Sequence, residues 1–390
     1  MRLLNLALVL ALAALAVAQP PAPAPGRAGG RGGPQVVSPQ IESDGRVTFR
    51  ILAPRATTVT VTGDLSQGLV PDPSQTTAAP ATPVVNMTKG TDGIWTGTTV
   101  RSMKPGAWRY AFNVDGAVTV DSRNVHVSQS QTQVQSLLVV PGDFSETRDV
   151  PHGALSTVRY VAASLGNARR ELYVYTPPGY EIGTAKYPVL YLIHGGGDTA
   201  VSWSTVGRAG DILDNLIAEA KAKPMIIVMP SGWTPSGGQV MTSDATKDPF
   251  TKEMISDIIP FIQARYRTLA NPENRALSGL SMGGIQTLNV GLHHLGTFRY
   301  VAVMSSGWIS EDDRQFFYTA EAAQIPKYNS QLKLFWWGWG QTDIARANGL
   351  AVIEKFKSQG VKIETLETPG GHEWANWRTY LREVAPKLFR

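Results

Sequence analysis

Short runs of alternating apolar and polar residues fill the early part of the chain: Val47-Thr48-Phe49-Arg50-Ile51-Leu52, Thr58-Val59-Thr60-Val61-Thr62, Trp95-Thr96-Gly97-Thr98-Thr99-Val100 and Trp108-Arg109-Tyr110-Ala111-Phe112-Asn113-Val114. A period of two sends successive side chains to opposite faces, so each run predicts a strand with one face on a core. Asp115-Gly116 is a hairpin-turn signal after the last run, with Val118-Thr119-Val120-Asp121 as the returning strand. Residues 36–141 are therefore expected to form a small all-β sandwich. Trp95, Trp108 and Tyr110 fall inside its strands, where an aromatic ring belongs to the core; the alternative is a sugar-binding platform.

Beyond about Val150 the pattern changes. Tyr187-Pro188-Val189-Leu190-Tyr191-Leu192-Ile193, Met225-Ile226-Ile227-Val228-Met229-Pro230, Val301-Ala302-Val303-Met304 and Leu332-Lys333-Leu334-Phe335-Trp336-Trp337 are nearly continuous apolar runs. Such runs suit strands buried on both faces, with helices packed above and below. The expected fold class for 150–390 is α/β, a doubly wound sheet. The N-terminus reads differently again. Arg2, the apolar run Leu6 to Val17 and Ala16-Val17-Ala18 before Gln19 have the form of a secretory signal over 1–18, too short to span a membrane comfortably. Residues 19–35 are Pro, Ala, Gly and Arg without periodicity and read as a linker.

Candidate chemistry centres on Gly279-Leu280-Ser281-Met282-Gly283-Gly284, between the strand-like Arg275-Ala276-Leu277-Ser278 and a helix-compatible stretch. A G-x-S-x-G sequence in that setting is a nucleophile elbow: glycines two before and two after the serine permit a turn too tight for side chains. Ser281 is the expected nucleophile. The Met282 N–H, at the helix start, can receive an oxyanion. The order Ser, acid, His then narrows the partners. Of the six histidines only His293, His294 and His372 follow Ser281, and the first two sit about three turns along the next helix. His372, in Thr368-Pro369-Gly370-Gly371-His372-Glu373-Trp374, follows the strand-like run Val361 to Leu366. Asp343 follows the Leu332 to Trp337 run, which breaks at Gly338-Trp339-Gly340, and is the expected orienting acid. Its rivals are Glu311, Asp312 and Asp313 in a polar segment, and Glu354 and Glu364, which fall inside a helix and a strand. Leu192-Ile193-His194-Gly195-Gly196-Gly197 supplies a second amide for the oxyanion, from Gly195 or Gly196, with His194 structural.

Together with Val150-Pro151-His152-Gly153 and Tyr173-Val174-Tyr175-Thr176-Pro177-Pro178-Gly179-Tyr180, these segments resemble the esterase D-like, enterochelin-esterase-like branch of the α/β-hydrolases, particularly feruloyl and carbohydrate esterases. The resemblance covers 150–390. It implies an α/β-hydrolase fold, with Ser281, Asp343 and His372 as a catalytic triad. The preceding module resembles E-set, glycogen-binding-like domains of immunoglobulin-like form.

Composition bounds the alternatives. The chain has 390 residues, 43% of them hydrophobic and 17% charged, a formal charge of +5 and no cysteine. Thiolate nucleophiles, thiolate metal sites and disulfides are therefore excluded. The basic excess is small, without aromatic-interleaved clusters, zinc-finger spacing or a P-loop, so nucleic-acid or nucleotide partners are not expected. No metal and no cofactor is expected. Trp233, Trp308 and Trp374, with Trp377, lie after strands and are expected to rim the cleft and contact substrate. The expected substrate is a carboxylic ester, polysaccharide-linked or small, met outside the cell or in the periplasm. A siderophore trilactone is the alternative, gripped by Arg208, Arg314 or Arg346; an acyltransferase of the same fold is another. Glu373 is expected on the surface.

Overall fold

The computed structural model describes residues 36–71, 84–235 and 241–390. The expected signal, 1–18, and linker, 19–35, lie outside the described residues. The first strands are β1 (Gln40–Ile41), β2 (Val47–Leu52), β3 (Val59–Gly63), β4 (Thr88–Lys89), β5 (Ile94–Thr98), β6 (Gly106–Val114), β7 (Ala117–Thr119), β8 (Val127–Gln129) and β9 (Val134–Val140). They build two antiparallel sheets, β1-β2-β5-β4 and β3-β6-β9-β8, with β7 paired to β6. At the hairpin, Val114 pairs with Ala117 across Asp115 and Gly116, whose φ values of 49° and 92° give the turn its twist.

Phe49, Tyr110, Phe112 and Leu138 fill the space between the sheets. Trp95 and Trp108 join them, their Nε1 atoms donating to Ala53 O at 3.1 Å and Lys104 O at 3.0 Å. Tyr110 is fully buried and donates to Asp121 at 2.8 Å. All three aromatics are core, and none offers a flat face to a sugar.

The following strands are β10 (Ala154–Ala162), β11 (Ala168–Thr176), β12 (Val189–Ile193), β13 (Ile226–Pro230), β14 (Arg275–Leu280), β15 (Tyr300–Met304), β16 (Leu334–Gly340) and β17 (Glu364–Thr368). They form one sheet in the order β10-β11-β13-β12-β14-β15-β16-β17, antiparallel as far as β13 and parallel from there on. This is a doubly wound α/β-hydrolase sheet preceded by a small all-β sandwich. Helices Met282–His293 and Arg346–Ser358 cover one face through Leu288, Val290, Val352 and Phe356. Ala209–Ala218 and Trp374–Val384 cover the other through Ile212, Leu213, Tyr380 and Leu381.

Strand β16 runs on through Gly338-Trp339-Gly340, where the sequence predicts a break. A side chain at Gly338 would overlap the Trp336 ring and approach Tyr380 Cδ1 to 3.1 Å, so glycine here serves ring packing within a strand. The order reverses around β12, which pairs with β13 on one side and β14 on the other. Ile193 is opposite Gly279, so the loops leaving the carboxyl ends of β12 and β14 emerge side by side, at the switch point where open α/β sheets bind ligands.

The sandwich is tied to the second sheet by buried charge. Arg109 Nη1 on β6 pairs with Asp198 Oδ1 at 2.7 Å, each side chain only 7% exposed. Arg378 Nη1, fully buried, donates to Ala107 O and Val206 O at 3.0 Å each, bridging β6 and the loop after β12. At the start of the second sheet, Asp214 receives Gly153 N–H at 3.0 Å and Tyr175 OH at 2.5 Å, with His152 Nδ1 2.9 Å away. That hydrogen bond outweighs desolvation and holds His152 above the ordinary imidazole value.

Two expectations follow. Arg109→Met strands Asp198 in the interior, and loss of a buried partner typically costs about 3–5 kcal/mol; urea unfolding should show that loss, and a change below about 1 kcal/mol would mean that the pair is solvated. For His152 the folded value is raised, so its stabilisation is complete below about pH 6.5 and fades as pH rises through the folded value. The gap in Tm between wild type and His152→Gln should therefore be wider at pH 6 than at pH 8.

Candidate active site

Ser281 occupies the one-residue turn between β14 and the helix Met282–His293, at φ 53° and ψ −118°. A non-glycine residue there is strained by about 1–3 kcal/mol. Close packing enforces the turn. A Cβ on Gly279 would overlap the Gly283 carbonyl group, and one on Gly283 would come within 2.5 Å of His194 O. The strained residue is pinned from both sides: its N–H donates to Met304 O at 3.0 Å, and its carbonyl accepts the Ser306 hydroxyl at 2.6 Å. Met282 is the first residue of its helix, so its N–H has no intrahelical acceptor and points outward with the positive end of the dipole.

Past β12, a Cβ on Gly195 would lie 3.2 Å from Ser281 Cβ, so this backbone runs against the serine. The Gly195 carbonyl accepts from Asp198 N–H at 3.1 Å and lies 2.7 Å from His194 Nδ1. His194 is 1% exposed and its Nε2 accepts Gly232 N–H at 3.0 Å, which leaves Nδ1 as the protonated nitrogen and donor. Burial holds the ring below the ordinary histidine value, in keeping with a neutral ring. With the Gly195 carbonyl held, the planar trans peptide aims the Gly196 N–H the opposite way.

His372 Nδ1 lies 2.8 Å from Asp343 Oδ1, which also accepts Ala345 N–H at 2.8 Å. Asp343 has no exposed side-chain surface. Burial alone would raise its pKa, but the hydrogen bonds from His372 and Ser305 outweigh it and keep the carboxyl below its ordinary range. Two of the rivals are engaged elsewhere: Glu311 pairs with Arg314 at 2.8 Å, and Asp313 accepts the amide of Ser243 at 3.1 Å. Ser281, His372, Gly195, Gly196 and Gly197 line one cavity of about 230 Å³.

The tryptophans divide. Trp374 and Trp377 line that cavity, their rings 5.1 Å apart and edge to face, and the Trp377 ring is also 5.1 Å from His372. Trp308 does not rim the cleft: it is 0% exposed, stacks on Phe317 at 4.2 Å and donates to Asn289 at 3.0 Å, because its loop folds back over the helix that begins at Met282. Trp233 lies outside the cavity lining and donates to Asp198 O at 3.1 Å, bracing the glycine loop. Glu373 is not a surface companion. It lines the cavity half-buried, and desolvation holds its carboxyl above the ordinary value. Arg208, Arg314 and Arg346 pair with Asp211, Glu311 and Glu367, and none is among the described residues lining this cavity. Asp64, Gln67 and Arg109, all from the sandwich, do line it, and no local sequence signal marks them.

A family model described as a putative esterase matches residues 162–388. The chain belongs to this esterase family. Among curated relatives, an endo-1,4-beta-xylanase/feruloyl esterase of Xylanibacter ruminicola is 32% identical over 90% of this chain and 46% of its own length. Endo-1,4-beta-xylanase Y of Acetivibrio thermocellus is 29% identical over 57% of this chain and 22% of its own length. The esterase chain thus spans less than half of either relative. Among solved structures, the feruloyl esterase module of Clostridium thermocellum matches with a TM-score of 0.55 at 23% identity, over 68% of this chain and 95% of its own. The enterobactin esterase of Shigella flexneri matches at 0.59 and 17%, over 87% and 92%. At these identities the likeness is one of fold.

The contact at Gly283 gives a direct test. Gly283→Ala forces its Cβ onto the His194 carbonyl, and overpacking of this kind costs about 1–3 kcal/mol. Urea unfolding of that variant should show the loss, whereas Gly210→Ala, also within a helix and with no neighbour nearer than 3.5 Å to its added Cβ, controls for the alanine itself.

Proposed function

We propose that the protein is a secreted serine esterase that hydrolyses feruloyl or acetyl esters on plant cell-wall polysaccharide through an acyl-enzyme. The observation that carries this reading is the 2.8 Å contact of His372 Nδ1 with buried Asp343, in a cavity shared with the strained Ser281. His372 Nε2 takes the Ser281 proton as the hydroxyl attacks the ester carbonyl, and Asp343 holds the tautomer and stabilises the imidazolium. The Met282 amide and that of Gly196 or Gly195 receive the oxyanion; one such donor is typically worth about 10²–10³ in rate. The proton returns to the departing alkoxide, and water, activated by the same histidine, releases the acid.

The ester class rests on the relatives and on the cavity walls. The Xylanibacter ruminicola relative, whose printed name joins a xylanase to a feruloyl esterase, aligns over 90% of this chain, a share that reaches into the sandwich. Trp374 and Trp377 give the cavity flat apolar surface for an aromatic acyl group or a sugar face. A siderophore trilactone bound to iron is an anion, and the three arginines suited to grip it are spent on ion pairs elsewhere. The expected signal at 1–18 supports export.

The purified protein and its Ser281→Ala and Asp343→Asn variants should be assayed against p-nitrophenyl acetate, methyl ferulate, acetylated xylan and an iron-free catecholate trilactone. Wild type is expected to release ferulate or acetate, with kcat lower by about 10⁴-fold or more in Ser281→Ala and about 10³–10⁴-fold in Asp343→Asn. Cleavage of the trilactone alone would move the assignment to siderophore processing, ester transfer to an added alcohol would make it an acyltransferase, and no turnover would sink the triad.

A further inference from the structure

The cavity containing Ser281 and His372 has a wall that lies outside the matched esterase region, residues 162–388. That wall is the turn after β3 and the short helix Leu65–Gly68. Leu65 and Gly68 are buried in the sandwich, while Asp64 is half-buried and Gln67 exposed, and both line the cavity. The segment is held rigidly. Asp64 N–H donates to Arg109 O at 2.8 Å, Lys104 N–H donates to Gly68 O at 2.7 Å, and Lys104 Nζ donates to Gln67 O at 3.3 Å. The Gln67 amide appears in no side-chain hydrogen bond or ion pair among the described residues, and the Asp64 carboxyl is met by the Arg109 backbone N–H but by no ion pair, so both can receive a ligand in the cavity they line.

Chemistry decides which half of the ester meets this wall. His372 returns its proton to the alkoxide, so the alcohol must sit on the His372 side of the scissile bond. Glu373 and Trp374 follow His372 in the chain and line the cavity there, and the guanidinium of Arg109, whose carbonyl holds Asp64, lies 5.7 Å from the Trp374 ring. The sandwich wall therefore borders the alcohol. The one arginine in the lining, Arg109, is committed to Asp198, and burial holds the carboxyls of Asp64 and Glu373 above their ordinary values. Carboxyl and amide groups beside a tryptophan ring, with the lining arginine already paired, match a neutral polyhydroxylated ligand with an apolar face.

Building on the esterase reading above, we propose that Asp64 and Gln67 bind hydroxyl groups of a neutral sugar that forms the alcohol half of the ester, making the sandwich a specificity wall of the active site. The test compares two esters of one acyl group, acetylated xylo-oligosaccharide and p-nitrophenyl acetate, or a feruloylated pentose oligosaccharide and methyl ferulate, whichever acyl group the wild type accepts. For Gln67→Ala, on an exposed position where folding is secure, the ratio of kcat/KM for the sugar ester to that for the simple ester should fall about three- to tenfold through KM; for Asp64→Asn it should fall about tenfold or more. In a Ser281→Ala background, Gln67→Ala should weaken binding of the intact sugar ester to the same degree. An equal fall on both esters, an unchanged ratio, or a wild type that cleaves the simple ester but no sugar ester overturns the proposal while leaving the esterase reading standing. A wild type that cleaves no ester removes the esterase reading itself.

Discussion

The proposed site depends on how closely two pieces of backbone approach each other. β14 and the helix after it meet at Gly279 and Gly283 with no room for a Cβ, and Gly283 in turn abuts the carbonyls of Ile193 and His194 at the end of β12. Three consequences follow from that single contact. Ser281 is forced into a conformation that an L-residue adopts only at a cost of about 1–3 kcal/mol. The amide of Met282 is left at a helix start without an acceptor. The glycine loop after β12 is brought against the serine, where its amides can face the same substrate oxygen. The strain, the proposed oxyanion donors and the setting of the proposed nucleophile thus share one cause.

A second constraint fixes that glycine loop. His194 ties the Gly195 carbonyl to the Gly232 turn, and Trp233 and Arg109 hold Asp198 by its carbonyl and its carboxylate. The sandwich backbone joins in, with Gln131 N–H donating to Gly197 O at 3.0 Å. Buried ion pairs are costly to form and weak evidence of net stability, because desolvation offsets the Coulombic gain. The consequence here is placement: the Arg109–Asp198 pair and the two carbonyl bonds of buried Arg378 each join β6 to the loop after β12.

That docking changes what the sandwich is for. Its aromatic residues are consumed by its own core, which leaves them no role as a binding platform. What it presents instead is a polar edge, Asp64 and Gln67, at the mouth of the cavity. In the proposed reading the second sheet provides the reacting groups, and the sandwich a wall beside them.

Much of this was legible in the sequence because it is written in local patterns. Period-two alternation marked β2, β3, β5 and β6, apolar runs marked β12, β13, β15 and β16, and Asp115-Gly116 marked its hairpin. The glycines at 279 and 283, the position of His372 after a strand and Asp343 near the end of another could be found because chain order and residue type constrain such a constellation. Tertiary structure decided the rest. Trp233, Trp308 and Trp374 look alike in sequence, each following a strand, yet one braces a loop, one is sealed in the core and one lines the cavity, according to how each loop folds over its neighbours. Glu373 reads as a surface residue, yet it lies half-buried in the wall of the cavity. Asp64 and Gln67 lie more than two hundred residues from Ser281, and only the packing of two separately built cores puts them in the same cavity. Local periodicity specifies which face of an element is apolar; it carries no information about which distant element will cover that face.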